Sequence, residues 1–416
     1  MRSLAQAGGR AIRQMQSNSV IHVDPVEDHL KRKLRQHFRD LGFSKAEDGS
    51  LVLPGSEKEH VRRLHAAQRN DRVSGNLRFI TERGEKLLPH FADGRKIDPS
   101  KIKLRLIRVP QRGVHAEIFR LASLTWSVPV SLGFGRRMRY LVWDDHHDKL
   151  VGIFALGDPV FNLSVRDKLI GWSATDRKDR LVSILDAYVL GAVPPYNMLL
   201  GGKAVACAIR STDVFEDFAK TYGGSTGIIS GKSKIAKLLA VTTSSSMGRS
   251  SIYNRLKLGD DAYFRSIGYT TGWGHFHIND HLFTEMRKFL RLRGHRYADE
   301  HSFGQGPNWR LRTIRAAIGE LGLNEAVLKH GIRREVFYAP FGANAAEIMR
   351  TGQGTLDTSN LLTVAQIGDL ARERWMVPRA GRRDEFRAWE RQGILDLVHG
   401  SGRVAASDVT GIAAAG

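Results

Sequence analysis

Residues 138–158, MRYLVWDDHHDKLVGIFALGD, hold two strand-length apolar runs on either side of the polar stretch DDHHD. Runs of this length bounded by a turn favour β-strands, and so short a connection permits only antiparallel pairing. The segment therefore predicts a β-hairpin inside a sheet, with DDHHD as its solvated turn. Upstream, KIKLRLIRV alternates like a strand and 115–124 is helical. Downstream, LVSILDAYVLGAV reads as a buried strand closed by Pro194 and Pro195, which cannot donate to a ladder.

The rest of the core follows from periodicity. Residues 197–220 predict one long helix, with Leu199, Leu200, Val205, Ile209, Val214, Phe215 and Phe218 roughly on one face. KLLAVTTSSS predicts a strand, SSIYNRL a short helix and YFRSIGYTTGWGHFHI a strand or hairpin. Helices are expected over 280–293 and over PNWRLRTIRAAIGELGL, where Leu311, Ile314, Ile318 and Leu321 share a face, and REVFYAP closes the set as a strand. The fold class is α/β (α+β): a mixed central sheet flanked by helices, in the β-β-β-α-β-α-β order of a GNAT-type acyltransferase.

Ahead of this core, Asp24 and Pro25 start a helix with Leu30, Leu34, Phe38 and Leu41 as its buried stripe, ended by Gly42. The expected organisation is a flexible basic arm at 1–23, a helical basic N-terminal domain at 24–100, the GNAT-like core at 101–350, and a Gly-, Thr- and Arg-rich C-terminal extension at 351–416, mobile at its terminal GIAAAG.

Charge narrows the partner. The 64 Lys and Arg against 43 Asp and Glu give a formal +21, a self-repulsion that a polyanion relieves. The sole cysteine, Cys207, rules out an internal disulfide, and no apolar run is long enough to span a membrane. A cytoplasmic protein bound to DNA or RNA is the expectation, with a generally basic surface as the plainer alternative.

Four groups of residues could carry chemistry. Arg136, Arg137 and Arg139, beside Trp126, Phe134 and Tyr140, combine phosphate-binding guanidinium groups with rings that stack bases; Arg166, Arg249, Arg310, Arg312 and Arg334 extend the candidate nucleic-acid contacts. A solvated turn explains the first cluster equally well. Asp158, Asp167 and Asp186 are the carboxylates expected to be buried or clustered, paired with bases or else holding Mg²⁺ for strand cleavage, with Tyr253 as a further catalytic candidate. Gly201, Gly202, Lys203 and Ala204 stand where an acyl-CoA pyrophosphate would meet a helix N-terminus, although Leu199 replaces the polar residue of that signature and a glycine pair also allows close packing. In GHFHINDH, strand alternation would put His275 and His277 on one face and His281 at a helix start, so no metal is assigned.

The blocks WSVPVSLGFGRRMRYLVWD, LGDPVFNLSVRDKLIGW, DAYVLGAVPPYNMLLGGK, GPNWRLR and HGIRREVFYAP, spread over roughly residues 100 to 350, resemble the DruA family of Druantia anti-phage defence systems. The resemblance implies a prokaryotic protein of defence islands or mobile elements, acting near DNA beside partners such as a large helicase-like protein. It brings no catalytic motif with it. Three functions stay open: a DNA-binding subunit, a GNAT-like transferase that modifies nucleic acid, and a metal-dependent nuclease or recombinase.

Overall fold

The computed structural model describes residues 24–53, 58–128, 130, 135–224, 236–248, 250, 252–254, 256–299 and 307–400. The arm at 1–23, the terminal GIAAAG, Phe134 and Arg249 lie outside the described residues.

Seven strands form one mixed sheet: β1 (Leu104–Arg108), β2 (Arg137–Asp144), β3 (Lys149–Gly157), β4 (Ile184–Ala192), β5 (Ala240–Ser244), β6 (Arg265–Tyr269) and β7 (Glu335–Pro340), in the spatial order β6-β7-β5-β4-β3-β2-β1. Every neighbouring pair is antiparallel except β4 and β5, which run parallel. The α/β class and the β2–β3 hairpin are as expected. Both faces of the central strands are covered, which is why β3 is a continuous apolar run rather than an alternating one.

One face carries α7 (Gly201–Ala208), α8 (Thr212–Tyr222) and α12 (Val364–Ala371) over Met138, Tyr140, Phe154, Leu156 and Leu185. The opposite face carries α3 (Leu77–Leu87), α4 (Val114–Leu124) and α14 (Gly393–His399) over Leu141, Trp143, Ile153, Ala155 and Val189. Burying each of the large aliphatic or Phe side chains among these contributes ~1.5–3 kcal/mol before entropy is charged against it. Residues of 351–400 are thus part of the core. They also reach the N-terminal helices, since the Gly94 N–H donates to the Trp389 carbonyl at 2.8 Å and a guanidinium nitrogen of Arg69 donates to that of Val398 at 3.2 Å.

Helix α1 (Pro25–Asp40) begins as predicted, its Asp24 cap accepting from Val26 N at 2.9 Å, and packs Leu30 and Leu34 against α9 (Asp280–Leu292) and α10 (Pro307–Glu320). Four expectations are corrected. The long helix of 197–220 is two helices, because Ser211 caps a new one by accepting from Val214 N. Residues 252–254 form a turn instead of a helix. The GHFH stretch is also turn, not strand, so His275 and His277 do not alternate on a sheet. The DDHHD turn is not simply solvated: Asp144 is 0% exposed and accepts from Tyr196 Oη at 2.8 Å, His147 Nδ1 at 2.6 Å and Lys103 N at 3.1 Å. The His147 ring keeps its proton on Nδ1, because Nε2 accepts from Asp98 N.

Candidate functional site

The point where β4 parts from β5 organises the polar interior. The two strands pair only from Ile184 to Asp186, opposite Ala240 to Thr242, and β4 then continues unpaired on that side to Ala192. Asp186 is the last residue of that paired stretch, and just past it Thr243 Oγ1 donates to the Ala187 carbonyl at 2.9 Å.

Thr242 Oγ1 donates to Asp186 Oδ1 at 2.9 Å. Burial raises the Asp186 carboxyl to about 6, against the opposing pull of the Thr242 hydrogen bond and of Arg166 and Arg137. Arg137 reaches this point because of a glycine. Gly157 lies opposite Arg137 on one side and Asp186 on the other, and a β-carbon there would fall 1.7 Å from an Arg137 guanidinium nitrogen. The guanidinium crosses the gap and lies 4.6 Å from the centre of the Tyr188 ring, with its Nε buried and without a hydrogen-bond partner. A carboxyl that exchanges its proton near neutrality beside a guanidinium with a free N–H has the elements of a general acid or base next to an anion contact.

The other acids are committed elsewhere. Asp158 accepts from Arg136 Nε at 2.6 Å and from its main-chain N at 3.1 Å, while the Arg136 guanidinium also bonds the Val182 and Ile184 carbonyls. Asp167 is held by Arg166 at 2.7 Å and Arg177 at 2.6 Å. The three candidate acids therefore face bases or a hydroxyl rather than one another, and among the described residues no group of three or more His, Cys, Asp or Glu is placed to hold a metal ion. His277 instead bonds the Val327 carbonyl at 3.1 Å and packs against the rings of Phe38, Phe43 and His330. Tyr253 is buried between Phe264 and Phe337, ring centres 5.0 Å from each; its hydroxyl is pushed up to about 12 by burial, with the Asp186 charge a smaller cause.

The candidate arginines divide by environment. Arg166 is fully buried, with every guanidinium nitrogen bonded to Asp167 or to the Val160 and Phe161 carbonyls, so it has no face to offer a polyanion. Arg136 is a clamp of the same kind. Arg139 donates to the Pro110 carbonyl, and Arg310 is held by Asp280 and the Ile278 carbonyl. Arg312 is exposed on α10. Arg334 lies half-buried against Phe276 and His65, its pKa lowered by burial and its Nε without a partner.

At the entry to α7, Leu200 takes a left-handed conformation (φ 61°) and supplies no side-chain cap. Gly201 is required sterically, because a β-carbon would meet the Tyr196 carbonyl oxygen at 2.6 Å; Gly202 is not, its β-carbon finding only Ile252 at 3.8 Å. Lys203 turns its ammonium over Trp375 at 5.6 Å, and Ala204 is buried. No helix among the described residues is long and apolar enough to cross a membrane.

Sequence reasoning singled out Asp186 and Arg137 as candidates but not Gly157 and Tyr188, which stand between and beside them; the glycine that ends the apolar run of β3 was the available signal. No solved structure matches the chain. A family model described as Druantia protein DruA matches residues 55–351. A curated Druantia protein DruA from Escherichia coli (strain UMEA 4076-1) is 53% identical over 379 residues, covering 91% of this chain and 94% of the relative. With the family match spanning more than half of the chain and a relative this similar covering nearly all of it, the chain belongs to the DruA family of Druantia anti-phage defence proteins.

Proposed function

We propose that the chain is a nucleic-acid-binding member of its defence system, acting on DNA beside other proteins of the system, a helicase-like one among them. The observation that carries this reading is the formal +21. Several arginines are neutralised internally, but the excess of base over acid belongs to the whole chain and must be met at its surface. The test is binding to labelled single- and double-stranded DNA and RNA across a salt series. Contacts to six to ten phosphates would weaken affinity by roughly 10³–10⁵ between 50 and 200 mM salt. Absence of binding at low salt overturns the reading.

A second reading, a GNAT-like transferase that modifies nucleic acid, is favoured by one specific observation: the single parallel pair ends at Asp186 and β4 leads on into the uncapped start of α7. In such a scaffold Gly201, Gly202, Lys203 and Ala204 would receive the acyl-CoA pyrophosphate, for which Gly202 leaves room. The chemistry supplied by that cofactor would be an activated acyl group, and Asp186 would act as the base. Binding of acyl-CoA that disappears in Gly202→Leu while folding persists supports this reading; unchanged binding removes it. Mg²⁺-dependent cleavage finds less support, since Asp158, Asp167 and Asp186 do not converge.

A further inference from the structure

We infer that the loop at the end of the sheet's edge strand is a stacking platform for unpaired bases of single-stranded nucleic acid, built from Tyr269, Trp273 and Arg333. The inference rests on the nucleic-acid reading above and adds to it the strandedness and the residues.

β6 is the edge of the sheet and ends at Tyr269, with Trp273 four residues further on. Both rings stand in solvent, 39% and 43% exposed, and Trp273 is the one exposed tryptophan of the seven. Two large rings left uncovered four residues apart, with an exposed guanidinium beside one of them, present stacking faces to solvent. The Arg333 guanidinium lies 5.4 Å from the centre of the Tyr269 ring and is itself exposed. Neither Arg333 nor the exposed Arg265 at the start of the strand has a carboxylate partner among the described residues. The adjacent carboxylate, Glu335, is buried and accepts from Ser266 Oγ at 2.8 Å.

The surface is rigid. Segment 269–274 runs against 328–335, with Tyr269 opposite Glu335 and Trp273 opposite Lys329. Between these points the Gly272 carbonyl accepts from both His330 N (2.9 Å) and Gly331 N (3.1 Å). Gly272 and Gly331 both have positive φ, 71° and 70°, and a β-carbon on Gly272 would lie 2.8 Å from the Gly331 carbonyl carbon, so only glycine allows the two loops to meet this closely. Four residues of chain set the two Cα atoms at most ~14 Å apart, and a clasp that holds the two loops together before binding reduces the ordering cost of capture.

Flat rings with a guanidinium between backbone turns match bases whose faces are free, a condition met by a single strand and not by a stacked duplex, while Arg333 and Arg265 supply phosphate contacts. A protein strand adding to the edge fits less well. β6 shifts register between Ser266 and Gly268, which interrupts the regular row of main-chain groups that such a partner needs.

The experiment uses the full chain with fluorescein-labelled oligo-dT and a hairpin duplex of equal charge at fixed salt. Tyr269→Leu and Trp273→Leu keep bulk but lose the ring face; Tyr269→Phe and Trp273→Phe keep it. Expected is about a tenfold loss of single-strand affinity for each Leu variant, duplex affinity within twofold of the parent, and near-parent binding by both Phe variants. Quenching of the parent's tryptophan fluorescence by oligo-dT, diminished in Trp273→Phe, provides a readout that needs no Leu variant to fold. Equal losses for both oligonucleotides, no loss for either, or no quenching at saturation overturns the platform while leaving nucleic-acid binding intact. Failure of the parent to bind any oligonucleotide overturns both.

Discussion

Replacing Asp186 by Asn should stabilise the protein, and only above a particular pH. The carboxyl ordinarily titrates at 3.8 and here is raised to about 6, chiefly by burial. An acid whose pKa rises on folding favours the folded state in its protonated form. Below pH 4 it is protonated whether folded or not and exerts no penalty. As pH climbs from 4 to 6 the unfolded chain ionises first, and above 6 the penalty is complete. A gap of about two pH units, at about 1.4 kcal/mol per unit, amounts to about 3 kcal/mol. Asn retains the Oδ1 that accepts from Thr242 Oγ1 and removes the partly buried charge. Urea unfolding of both proteins from pH 4 to 8 should show coincident midpoints at the acid end and an advantage for Asp186→Asn that grows to about 3 kcal/mol by pH 7.5. A difference that stays flat with pH would show that the carboxyl is not desolvated. A variant less stable at pH 8 would show that Arg137 and Arg166 hold the carboxylate as a net-favourable ion, reversing the argument.

Two further perturbations test the frame around that site. Arg166→Ala should cost ~3–5 kcal/mol in urea unfolding, because it leaves the buried Asp167 to Arg177 alone and strips the Val160 and Phe161 carbonyls of their donor; an unchanged midpoint would return Arg166 to the list of surface contacts. Gly94→Ala would drive a β-carbon to 1.7 Å from the Phe386 carbonyl oxygen. The two segments must separate, at ~1–3 kcal/mol, and the backbone near residue 386 should become a site of limited proteolysis. Retention of the parent's digestion pattern would argue against a tight contact.

What could be read from the sequence was whatever one segment decides for itself. The hairpin, β4, β5, β7 and helices α1, α4, α9 and α10 each announce themselves by an apolar run or a helical stripe with its cap. The break at Ser211 was present too, in Ser-Thr-Asp at 211–213, but the continuous apolar face from Val205 to Phe218 outweighed it. Pairwise facts were hidden. Arg137, with a free Nε, and Arg166, wholly sequestered, look alike in a string of letters; the difference comes from which strand lies opposite. Asp144 sits in a run of polar residues, and only the distant Tyr196 and Lys103 make it a buried acceptor. Gly157 matters through register, a property of three strands together.

The contact between the C-terminal extension and the N-terminal helices also has a consequence in time. Phe79, Ile80 and Leu87 of α3 are covered in part by Ile394, Leu395 and Val398 of α14. A ribosome working at roughly 5–20 residues per second delivers α14 some 300 residues after α3, a delay on the order of 15 to 60 seconds. Throughout that interval α3 has emerged without part of its apolar cover. The nascent chain must therefore be shielded by chaperones or by provisional packing on α4, and α14, the last helix among the described residues, completes the apolar cover of α3.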